Sequence, residues 1–157
     1  MKLLWIAPAL LVAACSPKAE APAGPASVAV ANAWCRPAPA GALSGACYMT
    51  LTASGDDRLT AVESPAGDHV EIHTMDMTGG VMRMRQLTDG VELARGEPAE
   101  LKPGARHLML IAPKAELALG GKVPLTLRFE KASAVTLDAE VKPPPPPAAG
   151  GASEHQH

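Results

Sequence analysis

From residue 27 to residue 142 the chain reads as short runs in which apolar and polar side chains alternate, each run closed by residues that favour turns. Alternation sends successive side chains to opposite faces of an extended backbone, so each run can bury one face and leave the other to solvent. The runs predict strands over 28–36, 45–53, 59–63, 69–77, 81–87, 91–94, 106–111, 123–129 and 134–141. Between them stand Pro37-Ala38-Pro39, Gly55-Asp56-Asp57, Pro65-Ala66-Gly67, Thr78-Gly79-Gly80, Asp89-Gly90, Pro103-Gly104 and Gly120-Gly121, all of them turn chemistry. Helical periodicity is hard to find in this stretch. Short strands with a turn signal about every eight to twelve residues predict one all-β domain, a sandwich or barrel, over 27–142.

The ends follow a different pattern. Lys2 is followed by an apolar run over 3–14 and then by Val12-Ala13-Ala14-Cys15, small residues directly before a cysteine. The run is too short to span a bilayer, which takes about 20 residues. It predicts a lipoprotein signal peptide over 1–14, with Cys15 as the lipidated first residue of the mature chain. Ser16 after it does not suggest inner-membrane retention, so an outer-membrane anchor facing the periplasm is expected. Residues 15–26 are rich in Ala and Pro and read as a flexible tether. Residues 143–157 form a tail: a proline run, a Gly/Ala/Ser stretch, then Glu154-His155-Gln156-His157.

Composition narrows the picture further. A formal net charge of -2 with interspersed signs gives no basic patch, so nucleic acid is not an expected partner. Outside the leader the aromatic residues are Trp34, Tyr48 and Phe129, so the core must be filled by Val, Leu, Ala and Met. With Cys15 assigned to lipid, Cys35 and Cys47 remain as an even pair, each in a strand-like segment of an exported chain. A disulfide between them closes a loop of about a dozen residues, worth about 3 kcal/mol in the chain-entropy model. The competing reading is a thiol metal site.

The candidate chemistry lies in 69–84, where four of the seven methionines (Met75, Met77, Met82, Met84) follow His73, and in His107-Leu108-Met109. Alternation puts His69, Glu71, His73, Met75 and Met77 on one face, Met82 and Met84 on another shared face, and His107 with Met109 on a third. The hairpin between the first two runs brings His73 near Met84 or Met82, depending on register. Thioether and imidazole together select cuprous copper. Methionine is also a common core filler, but a packing face rarely interleaves it with His, Glu and Asp, which need partners when buried.

The spacing His73-x10-Met84 followed by His107-x-Met109 resembles the signature of the periplasmic copper chaperone family PCu(A)C. Flanking residues agree: Ala33-Trp34, Arg36, Tyr48-Met49-Thr50-Leu51-Thr52, Gly79-Gly80-Val81-Met82-Arg83-Met84 and Val123-Pro124-Leu125-Thr126-Leu127. The resemblance implies a cupredoxin-like Greek-key β-sandwich that binds Cu(I) through His73, Met84, His107 and Met109. It further implies delivery to the CuA centre of cytochrome c oxidase together with Sco-type proteins. Met75, Met77 and Met82 are then auxiliary ligands during exchange. His155 and His157 resemble the histidine-bearing extensions of part of the family and suit Cu(II). A surface site without an enclosing cage is expected, since hand-over needs ligand exchange.

This chain departs from the pattern in three places. Twenty-two residues separate Met84 from His107, where the family has about twenty-one. Arg106 sets a positive charge next to the site, and Cys35 and Cys47 stand where the family commonly has alanine. The alternatives are an electron-transfer cupredoxin-like protein, which needs a cysteine thiolate ligand, and a structural lipoprotein without metal. No nucleophile with a neighbouring base and no phosphate-binding glycine loop points to an enzyme.

Overall fold

The computed structural model describes residues 26–145. Cys15, His155 and His157, with the signal peptide and most of the tether and tail, lie outside the described residues. Ten strands follow one another, with no helix among the described residues: β1 Val28–Cys35, β2 Ser44–Ala53, β3 Asp57–Glu63, β4 His69–Thr78, β5 Val81–Gln86, β6 Val91–Leu93, β7 Pro98–Leu101, β8 His107–Ile111, β9 Lys122–Phe129 and β10 Val135–Val141. Nine of them coincide with the alternating runs. The tenth, β7, was not anticipated: a proline opens it and Glu97, Glu100 and Lys102 surround a short apolar content. Proline at the first position of a strand that pairs on one side costs little, and β7 pairs with β2.

The strands form one continuous sheet in the order β5-β4-β8-β2-β1-β10-β9-β3-β6, with β7 beside β2. The sheet folds over so that β3 packs against β4 and β6 against β2 and β7, enclosing the core. That core is aliphatic, as the composition requires. Leu51, Leu59, Leu93, Leu108, Leu110, Leu125 and Leu127 are buried within it. β1 runs parallel to β10 and antiparallel to β2, and a bulge between Ala31 and Trp34 breaks its ladder, with Asn32 at φ 53°. Cys35 and Cys47 are direct cross-strand partners at the end of β1 and are joined by a disulfide. No thiol is left there to bind a metal.

The β4–β5 hairpin turns on Gly79 and Gly80, at φ 65° and 77°. Positive φ at both central residues defines a two-residue loop whose twist matches the flanking strands, a conformation that a Cβ would strain. The loop fixes the register: Thr78 opposes Val81, Met77 opposes Met82, Met75 opposes Met84 and His73 opposes Gln86. Among the described residues β5 pairs only with β4, and it is exposed along its whole length.

Candidate metal centre

β4 and β8 pair antiparallel, with His73 directly opposite His107 and Glu71 opposite Met109. The two imidazole rings stand 5.9 Å apart between centroids, tilted by 43°. Tyr48 on β2 comes next, 6.3 Å from His107, and Trp34 on β1 lies 4.6 Å from Tyr48. Four rings on four neighbouring strands therefore form one row across the sheet. His73 and His107 keep only 8% and 7% of their surface, which corrects the expectation of an open surface site for the histidine half. They sit on inner strands, with buried Tyr48 packed at one side, so the fold itself supplies the cover.

The hydrogen bonds around the rings are asymmetric. His73 Nε2 lies 2.7 Å from one carboxylate oxygen of Glu71, whose other oxygen is 3.3 Å from His69 Nε2. His69 Nδ1 in turn meets Asp68 at 3.1 Å. The bond from His73, then that from His69, holds the Glu71 carboxyl below the usual carboxylate range. The Asp68 contact first, then Glu71, raises His69 above the ordinary imidazole value. On the other strand, His107 Nδ1 donates to the Ala105 carbonyl at 3.0 Å. His73 Nδ1, by contrast, is buried with no hydrogen-bond partner, the one such side-chain nitrogen or oxygen among the described residues. Leaving a buried polar atom unpaired costs about 1–3 kcal/mol, a cost that a bound cation at that nitrogen removes. The imidazole pair therefore fits a transition metal that takes nitrogen ligands.

The methionines divide by burial. Met49 is the core filler, at 2% exposure, whereas Met77, Met82 and Met84 expose 64%, 56% and 46%. Met84, opposite Met75, is the diagonal neighbour of His73, and a diagonal of this kind spans about 7–8 Å. Met109, opposite Glu71 on β4 and Ala46 on β2, is half-buried on the other side of the histidine pair. The structure thus brings His73 and His107 together, and the strand register sets Met84 and Met109 to either side on the same face. Met82, paired with Met77 near the hairpin tip, is farther away. No three His, Cys, Asp or Glu side chains among the described residues converge on a metal position. Arg106, directly before β8, lines a hollow with Thr74, Met75, Arg85 and Leu87.

Sequence reasoning placed Glu71 on the right face but gave it no role, and it missed Tyr48 as the wall of His107. The signal for Glu71 was present as Glu-x-His, two residues apart on a strand. Tyr48 could be linked to His107 only through the β2–β8 register.

An all-β domain with a buried imidazole pair between thioethers has the donor set of a soft-metal binder. Residues 28–141 match the LpqE-like family, described as "Putative lipoprotein LpqE-like", and the chain belongs to that family. A protein of Leifsonia xyli subsp. xyli described as "Putative lipoprotein Lxx21020" is 30% identical over 115 residues, covering 73% of this chain and 69% of that protein. Among solved structures, the copper-bound PCuAC domain of PmoF2 superimposes with a TM-score of 0.60 at 27% identity, over 74% of this chain and 93% of that one. The Cu(I) form of DR1885 from Deinococcus radiodurans gives 0.59 at 27% identity, over 80% and 83%. The domain is therefore of the PCu(A)C type, and its all-β fold is the one expected.

Proposed function

We propose that this chain is a copper chaperone that binds Cu(I) through His73, Met84, His107 and Met109 and hands it to a copper enzyme, the CuA centre of cytochrome c oxidase, alongside Sco-type proteins. The observation that carries the reading is the buried, unpartnered Nδ1 of His73 beside His107, with methionines on both flanks. Copper is the cargo. Two imidazoles add affinity, and two thioethers favour the monovalent ion. The copper-bound relatives support the metal, and the lipoprotein description of the family supports an anchor at Cys15.

In this reading the buried histidines hold the ion while exposed Met84 forms the face at which a recipient exchanges ligands, with Met75, Met77 and Met82 as auxiliary donors along the hairpin. The anchor and the tether of 15–26 keep the domain at the outer membrane, in the periplasm. His155 and His157 capture Cu(II). Anaerobic titration with Cu(I) against a chromophoric chelator tests the proposal: one tight equivalent is expected, and its disappearance in the His107→Ala/Met109→Ala double variant. A wild-type chain that leaves all Cu(I) with the chelator would contradict it. An intense blue colour with Cu(II) would instead favour electron transfer. Removing residues 154–157 should lower Cu(II) uptake and leave Cu(I) binding in place.

A further inference from the structure

We infer that Glu71 is a positioning residue for the imidazole pair, and that it makes the two histidines bind through different ring nitrogens, His73 through Nδ1 and His107 through Nε2. The inference rests on the copper reading above and extends it to the atoms that hold the ion. A carboxylate only accepts hydrogen bonds, so its 2.7 Å contact places the proton of a neutral His73 ring on Nε2. The lone pair then belongs to Nδ1, the buried atom without a partner. A backbone carbonyl also only accepts, so the 3.0 Å contact to Ala105 places the proton of His107 on Nδ1 and leaves Nε2 bare. Each ring thus has a fixed tautomer, held by an acceptor on the side away from its free nitrogen. A second partner on the ring is the usual device by which proteins orient metal-binding histidines.

The split has a geometric consequence. Nδ1 is bonded directly to the ring carbon that joins the side chain, whereas Nε2 lies at the far end of the ring. One short reach from β4 and one long reach from β8 draw the ion toward β4, the strand flanked by Met84 on β5. Two Nε2 ligands would centre it farther from the sheet. Glu71 also occupies the position between His73 and Met109, so its charge lies beside the cation it helps to place. His69 steadies the other carboxylate oxygen.

The test uses the full chain with its imidazoles labelled with nitrogen-15, comparing long-range proton–nitrogen spectra of the copper-free and Cu(I)-loaded forms, together with Glu71→Ala and Glu71→Gln. The free protein should show His73 with Nε2–H and His107 with Nδ1–H, and Cu(I) should shift His73 Nδ1 and His107 Nε2. Glu71→Ala should mix the His73 tautomers and weaken Cu(I) about 10–100-fold, the usual loss for such a partner. Glu71→Gln, whose amide oxygen accepts the same proton, should keep the tautomer and recover most of the affinity. Cu(I) bound at His73 Nε2, or a Glu71→Ala variant with unchanged tautomer and affinity, overturns the inference and leaves the copper reading standing. If Cu(I) shifts neither histidine, the copper reading itself fails. Should Glu71→Ala not fold, the wild-type and Glu71→Gln spectra decide the assignment alone.

Discussion

His73 and His107 oppose each other directly across β4 and β8, both buried, with ring centroids 5.9 Å apart. Their positions are set by inner strands and by the Tyr48 ring, whereas Met84 projects from an exposed edge strand. The candidate centre has a buried imidazole pair and one exposed thioether at its edge, Met84, while Met109 is half-buried. That division is what a carrier needs, since an ion must be held firmly yet remain within reach of a second protein.

The division predicts unequal effects of substitution. Met84→Ala should weaken Cu(I) tenfold or more, about 1.4 kcal/mol. It should barely change the melting temperature, because an exposed side chain away from the core contributes within about 0.5 kcal/mol. Met77→Ala, at the hairpin tip, should alter neither by much. Competition titration and thermal melts of the two variants provide the check.

The hairpin loop predicts a coupling between backbone and site. A Cβ at Gly79 or Gly80 meets no neighbouring atom, so any cost comes from the positive φ alone. Gly80→Val should therefore destabilise the protein by about 1–2 kcal/mol and, by loosening the hairpin that carries Met84, weaken Cu(I) as well. Urea unfolding and Cu(I) titration of the same variant measure both effects.

Much of this was legible in the residues, and the exceptions have physical causes. Nine strands announced themselves by alternation; β7 did not, because four residues opened by proline and flanked by charge resemble a loop. The Cys35–Cys47 bridge followed from even cysteine use. Alternation alone leaves the hairpin register open; the two-residue Gly79-Gly80 loop sets Thr78 opposite Val81 and so Met75 opposite Met84. Burial of the histidine pair could not be read locally. It depends on β2 and β8 meeting across more than fifty residues of chain, which brings Tyr48 to His107.

Removing the disulfide separates stability from binding. The bridge spans a sequence separation of 12, and Cys47 is the partner of Leu108, whose side chain alternates to the face away from His107 and Met109. The Cys35→Ala/Cys47→Ala variant should lose about 3 kcal/mol in urea unfolding. It should still take up one Cu(I), since neither sulfur is a ligand in this account.

Acid stability should depend on Asp57. Burial raises its carboxyl pKa, but backbone N–H groups of Arg58, Lys131 and Ala132 donate to it at 2.7, 3.0 and 2.8 Å and outweigh that, leaving it below the ordinary 3.8. A depressed folded-state value contributes stability above the unfolded value and loses it as pH falls through the folded one. The contribution should therefore be complete at neutral pH and fade below about pH 3.8. Asp57→Asn should be less stable near neutrality and show a flatter acid limb in unfolding experiments run across pH.

X-ray absorption at the copper edge of the Cu(I)-loaded full chain tests the central claim most directly. The account predicts a shell of two nitrogen and two sulfur scatterers that loses its sulfur in the Met84→Ala/Met109→Ala variant. A shell of nitrogen and oxygen alone, or a sulfur signal unchanged in that variant, would contradict it.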